Sequence, residues 1–232
     1  MAIGHETWTV LPHDPIEKLA ENLWRVEGMI KGNRRTMVLG RLGDGRIVMH
    51  NAMALDDASM SQIDAWGNVA AIVIPNRFHR LDAAIVQQRY PNAKVYAPRG
   101  VLGPASKATP CAGGYGDVPS DERITLRELQ GVRENEGVML VKSNDGVTAV
   151  FCDMLLNLPK RSGLAGFALH PTGTLSIPRA MRWMTVKKKQ AVIDDFESIA
   201  NIDGLVRLIP GHGDVISVDV ARELRTAARR LR

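Results

Sequence analysis

The sequence predicts an α/β fold, on three observations. Residues 70–75 form an apolar run without a polar break and include Ile72, Val73 and Ile74, the composition of a strand buried on both faces. A near copy, 205–210, returns late in the chain with the same Ile-Pro ending. A hairpin precedes each: strands 36–42 and 46–50 turn at Gly43-Asp44-Gly45, and strands 138–141 and 147–151 turn at Ser143-Asn144-Asp145-Gly146, where glycines accept positive φ angles. Hairpin, helix and strand thus occur twice, which predicts a duplicated plan within one domain, residues 1–232.

In chain order, residues 23–29 alternate like the edge strand of a half-exposed sheet, and the first hairpin follows. Residues 56–66 carry Met60, Ile63 and an Asp-rich first turn, which predicts a short helix. Strand 69–75 stops at Pro75, which has no N–H to extend a ladder. Leu81, Ala84, Ile85 and Gln88 then share one side of a helix, and 94–97 is a short strand after the Tyr90-Pro91-Asn92 turn. Residues 99–123 hold four glycines after Gly100, with Pro104, Pro110 and Pro119, and read as a loop with room for one helical turn. Strands resume at Ile124. Residues 159–182 read as a long crossing loop. Residues 187–202 form an amphipathic helix, with Ala191, Ile193, Phe196, Ile199 and Ala200 inward and Asp203-Gly204 as its stop. Strand 205–210 and a closing helix, 218–231, complete the chain.

At 232 residues, 45% apolar and 24% charged, the chain can bury one substantial core. No run approaches a membrane span, and the first residues lack the positive start and apolar stretch of a signal peptide, so the expectation is a cytoplasmic protein with no membrane partner. Cys111 and Cys152 lie far apart without metal-type spacing and are expected reduced and structural. The net charge of +5 comes from local clusters: Lys187-Lys188-Lys189, and Arg222, Arg225, Arg229, Arg230 and Arg232. Without interleaved aromatic residues these read as solvated helix faces, and nucleic acid is not the expected partner.

Aligning the two halves makes His50-Asn51 equivalent to Cys152-Asp153 and Asn76-Arg77 equivalent to Gly211-His212. Four strand ends then converge at one rim and collect His50, Asn51, His79, Asp153 and His212 into one site. The bland alternatives are specific. Asp153 can simply turn the backbone at a strand end, Asp82 can be an N-terminal helix charge, His212 can belong to a capping turn, and His50 and Asn51 can merely close their strand. His5, His13 and His170 have no context and read as surface residues.

The order of hairpin, helix, strand with a histidine loop, second hairpin ending in Asp153, helix, and strand ending in Gly211-His212-Gly213 resembles the metallo-β-lactamase-like superfamily over residues 20–216. The resemblance implies an αββα sandwich, two mixed β-sheets packed face to face with helices outside, and one or two metals, usually zinc, at the rim. Asp153 is similar to the bridging carboxylate and His212 to the last histidine ligand. The signature loop His-x-His-x-Asp-His, however, is here Asn76-Arg77-Phe78-His79-Arg80-Leu81-Asp82. The histidine before the second hairpin is missing too, and residues 129–137 offer only Glu134 or Glu136. Pro75-Asn76 followed by His79 is similar to a branch of the superfamily with a degenerate metal-binding motif.

The resemblance therefore implies a metal-dependent hydrolase with a reduced, single-metal site. His79, Asp153 and His212 would be ligands for zinc or iron. Asp82, three residues after His79 and read as sharing its side of a first helical turn, would be a fourth. His50, Asn51, Asn76, Arg77 and Arg80 are expected to bind substrate, and the two arginines suit an anionic ester or thioester carrying a carboxylate or phosphate. A metal-free ligand-binding relative of the fold and a nucleic-acid-processing member remain as the other two classes.

Overall fold

A computed structural model of the protein describes residues 4–30, 32–160 and 162–231; Arg232 lies outside them. The N-terminal half contains β1 (Glu17–Ala20), β2 (Leu23–Ile30), β3 (Asn33–Arg41), β4 (Arg46–His50), α1 (Asp57–Trp66), β5 (Asn68–Val73), α2 (Ala83–Arg89) and β6 (Lys94–Tyr96). After α3 (Leu102–Ser106) come β7 (Ile124–Glu128), β8 (Gly137–Ser143), β9 (Gly146–Val150), β10 (Leu156–Asn157), α4 (Gly163–Leu169) and α5 (Arg179–Met184). The chain then runs through α6 (Lys189–Ala200), β11 (Leu205–Ile209), β12 (His212–Gly213) and α7 (Val220–Arg229).

Local chemistry sets the boundaries. Asp44 accepts from the Arg46 N–H at 3.0 Å and Gly45 takes φ 88°, closing the first hairpin. Asp56 caps α1 by accepting from the Ser59 N–H at 2.7 Å. Six strands form one sheet in the order β1-β2-β3-β4-β5-β6, antiparallel through β4 and parallel from β4 to β6. The second sheet, β11-β9-β8-β7, is antiparallel except for the parallel pair β9–β11. Both halves therefore build the same unit, an antiparallel hairpin followed through a helix by a parallel strand.

Alternation along each strand divides the core into layers. Val38, Val48, Ala71 and Val73 of the first sheet meet Ile124, Met139, Val141 and Val150 of the second. Their neighbours Leu39, Met49 and Ile72 face α1 and α2. Val138, Ala149 and Leu208 face α6 and α7. The result is the expected αββα sandwich, and no described helix is long and apolar enough to cross a membrane.

Three expectations change. β2 is paired on both sides, and the edge is β1, too short at four residues to show alternation. The expected loop 159–182 contains α4 and α5, hidden because Pro178 starts a helix without needing its missing N–H. The half-to-half equivalence also shifts. Asn51 N–H donates to Val73 O and Phe151 N–H to Ile209 O, so Asn51 corresponds to Phe151, and Asp153 stands two residues further on.

Candidate metal centre

The site assembles where β5, β9 and β11 end. Asn76, just beyond β5, accepts from the N–H groups of Phe78 at 2.8 Å and His79 at 3.2 Å, an Asx turn that swings His79 back over the rim. Its amide nitrogen donates to Asp153 Oδ2 at 2.8 Å. The glycines around His212 permit close backbone approach. A Cβ on Gly211 would lie 2.6 Å from the Cys152 carbonyl carbon, and one on Gly213, at φ +94°, would lie 1.9 Å from the Asn157 oxygen. β12 can therefore pair with β10, which sets His212 beside Asp153.

His79 Nε2 and His212 Nε2 each lie 3.1 Å from Asp153 Oδ1, and 3.3 Å from one another. Bonds of about 2.1 Å to a tetrahedral zinc would place donor atoms about 3.4 Å apart, so these residues fit a metal. The opposite ring nitrogens fix how the two imidazoles are turned. Asn51 uses its amide N–H on Thr36 O at 2.7 Å, leaving Oδ1 to accept from His79 Nδ1 at 3.1 Å. His212 Nδ1 donates to the Arg34 carbonyl, which can only accept. Both Nε2 atoms thus point at Asp153, donating to its carboxylate when protonated and free to turn lone pairs to an ion when not, with the contact on each Nδ1 fixing the orientation of the ring. Burial raises the Asp153 carboxyl, but the His79 charge and hydrogen bonds from both histidines outweigh it and hold the group well below the usual carboxylate range. Among the described residues, these are the three that could share a metal.

Asp82 does not join them. α2 begins only at Ala83, so helical spacing does not relate Asp82 to His79. The fully buried Asp82 instead receives Arg35 Nη2 at 2.5 Å and lies 2.8 Å from His5 Nδ1, which also gives His5 a context the sequence did not show. His50 is buried behind the site, 3.4 Å from the Tyr115 hydroxyl, and desolvation lowers it to about 3. Arg77 lies over the Phe78 ring, Arg80 donates to the Pro104 carbonyl, and neither lines the pocket. Asn51 and Asn76 are at the site, where they hold the side chains of His79 and Asp153.

Of the two acids that residues 129–137 offer, the buried Glu136 accepts from Met154 N–H at 2.5 Å and from Asn76 at 3.3 Å, and so braces the loops bearing Asp153 and His79. Burial, then the Asp153 charge, pushes Glu136 well above its usual range. Arg34 and Arg35 reach the pocket from β3; only the long-range fold brings them there. That pocket encloses about 440 Å³, with His79, Asp153 and His212 in its wall beside mostly apolar residues. Cys111 and Cys152 are both free thiols.

No family model matches the sequence, and no curated protein does. Solved structures do. The chain is similar to DIM-1 metallo-β-lactamase exposed to ceftazidime, with TM-score 0.64 and 13% identity, covering 97% of this chain and 100% of that one. A metallo-β-lactamase from Erythrobacter litoralis gives TM-score 0.61 at 14% identity, covering 93% and 96%. FIM-1 from Pseudomonas aeruginosa, in its mono-zinc form, gives 0.60 at 13%, covering 95% and 96%.

Proposed function

Taking a metallo-β-lactamase-like fold as the premise, we propose that the protein is a hydrolase dependent on a single metal ion, acting on an ester or thioester. The carrying observation is the convergence of His79 Nε2, His212 Nε2 and Asp153 Oδ1, with both Nδ1 positions already committed to oxygen acceptors. Two imidazoles and one carboxylate suit zinc with an open position, or iron(II). Such an ion would supply Lewis-acid polarisation of a carbonyl and a more acidic water. Asp153 Oδ2 is engaged by Asn76, which supports one ion rather than a bridged pair.

In the proposed reaction, water adds to the acyl carbon, the C–O or C–S bond breaks, and an acid and an alcohol or thiol leave. The chain's residues orient this chemistry: Asn51 and the Arg34 carbonyl hold the histidines, and apolar side chains line most of the pocket beside them. A site with one ion has no second cation to share the charge on the leaving atom. Turnover is therefore expected to be slow and confined to activated esters and thioesters, excluding β-lactams. A carboxylate or phosphate on the leaving group would meet Arg34, whose side chain is one-third exposed, rather than Arg77 or Arg80. The test is an esterase and thioesterase panel with and without zinc, on the wild type and His212→Ala. Zinc-dependent turnover lost in the variant supports the reading. Undiminished turnover in His212→Ala rejects this site, and ligand binding without metal or turnover favours a binding protein instead.

A further inference from the structure

We propose that the pocket beside the triad takes a linear, apolar acyl chain, so that the substrate is a medium- or long-chain acyl ester or thioester; this deepens the hydrolase reading and rests on it. Leu81, Leu158, Leu169, Met181, Met184 and Phe78 make the apolar wall, and its two methionines can adapt to a flexible chain. Much of the polar wall is already engaged: Arg35 is paired with Asp82, Asn51 with Thr36 and His79, and Arg34 with Glu27 and Asp214, although Arg34 keeps one-third of its side chain exposed to meet an anionic leaving group. The larger part of the wall is hydrocarbon. The volume of about 440 Å³ is far larger than an acetyl group requires and lies in the range of small-molecule sites. Phe78 and Met184 at its edge are 44% and 48% exposed, so the mouth of the pocket is itself apolar.

The test measures binding rather than turnover. Saturated fatty acids from hexanoate to tetradecanoate, kept below their micelle concentrations, are titrated calorimetrically into the full chain with and without zinc. Affinity should rise about fourfold per methylene, the equivalent of about 0.8 kcal/mol, until the pocket is filled. Met184→Asp and Phe78→Asp, both at partly exposed positions, should weaken tetradecanoate at least tenfold and leave hexanoate nearly unchanged. Val218→Asp, on an exposed residue away from the pocket, should change neither. Affinity independent of chain length, or unaffected by either pocket variant, would overturn the proposal. So would binding to phosphatidylcholine vesicles without binding to monomeric acids, which would make the apolar rim a lipid-surface contact. Because binding is read without catalysis, loss of the hydrolase reading leaves this result interpretable. Conversely, zinc-dependent cleavage of acetyl esters with no chain-length effect would remove the acyl pocket alone.

Discussion

At the scale of the residue, the orientation of each imidazole depends on the oxygen that its Nδ1 meets. Asn51 has φ 58°, which glycine tolerates, so Asn51→Gly should fold while losing the acceptor for His79 Nδ1. Zinc affinity, measured by competition with a chelating dye, should fall about 10- to 100-fold; unchanged affinity would separate Asn51 from the site. Asp82 behaves differently because its carboxylate serves Arg35 inside the protein. Asp82→Ala should destabilise the fold by about 3–5 kcal/mol in urea, since it strands a buried cation, yet zinc stoichiometry under native conditions should not change. His50 makes a pH prediction. Its folded value of about 3 lies below the ordinary 6.5, so the unfolded chain binds a proton that the folded chain refuses. Its contribution is retained above pH 6.5 and lost as pH falls toward 3, at about 1.4 kcal/mol per pH unit. Stability curves of wild type and His50→Gln should run parallel above pH 6.5, and below it the wild type should fall faster; curves parallel throughout would refute the assignment.

At the scale of the element, the Gly211-His212-Gly213 turn fixes the geometry. Gly213→Ala would force a side chain onto the Asn157 carbonyl at a positive φ, at a cost of about 1–3 kcal/mol, and should separate β12 from β10 with a loss of zinc affinity. Retained affinity and stability would show that the close approach is dispensable. The hairpins and the two Ile-Pro strands were legible because buried strands carry continuous or alternating apolar runs. β1, α4 and α5 were not, since four to seven residues give too few periods. The histidines at strand ends were legible because topology brings those ends together. The Asp82 expectation failed for a local reason: it assumed a helix at His79, whereas an Asx turn on Asn76 occupies that stretch. The Arg34 carbonyl was illegible in principle, because a backbone acceptor has no side-chain signature.

At the scale of the molecule, the αββα sandwich explains how residues from positions 34 to 212 meet on one rim. Each sheet ends in loops rather than covering its own strand termini, and packing the sheets face to face brings those loops together. Lys187, Lys188, Lys189, Arg222, Arg229 and Arg230 are exposed, as expected of solvated helix faces, and on α7 Arg225 also pairs with Glu197 and Arg222 with Asp219. The central claim is a single metal held by His79, Asp153 and His212, and it is tested most directly by elemental analysis after zinc loading and gel filtration. Wild type should retain one zinc per chain, with His79→Ala, Asp153→Ala and His212→Ala retaining none. Two tightly held zinc ions in the wild type, or one retained by any of these variants, would contradict it.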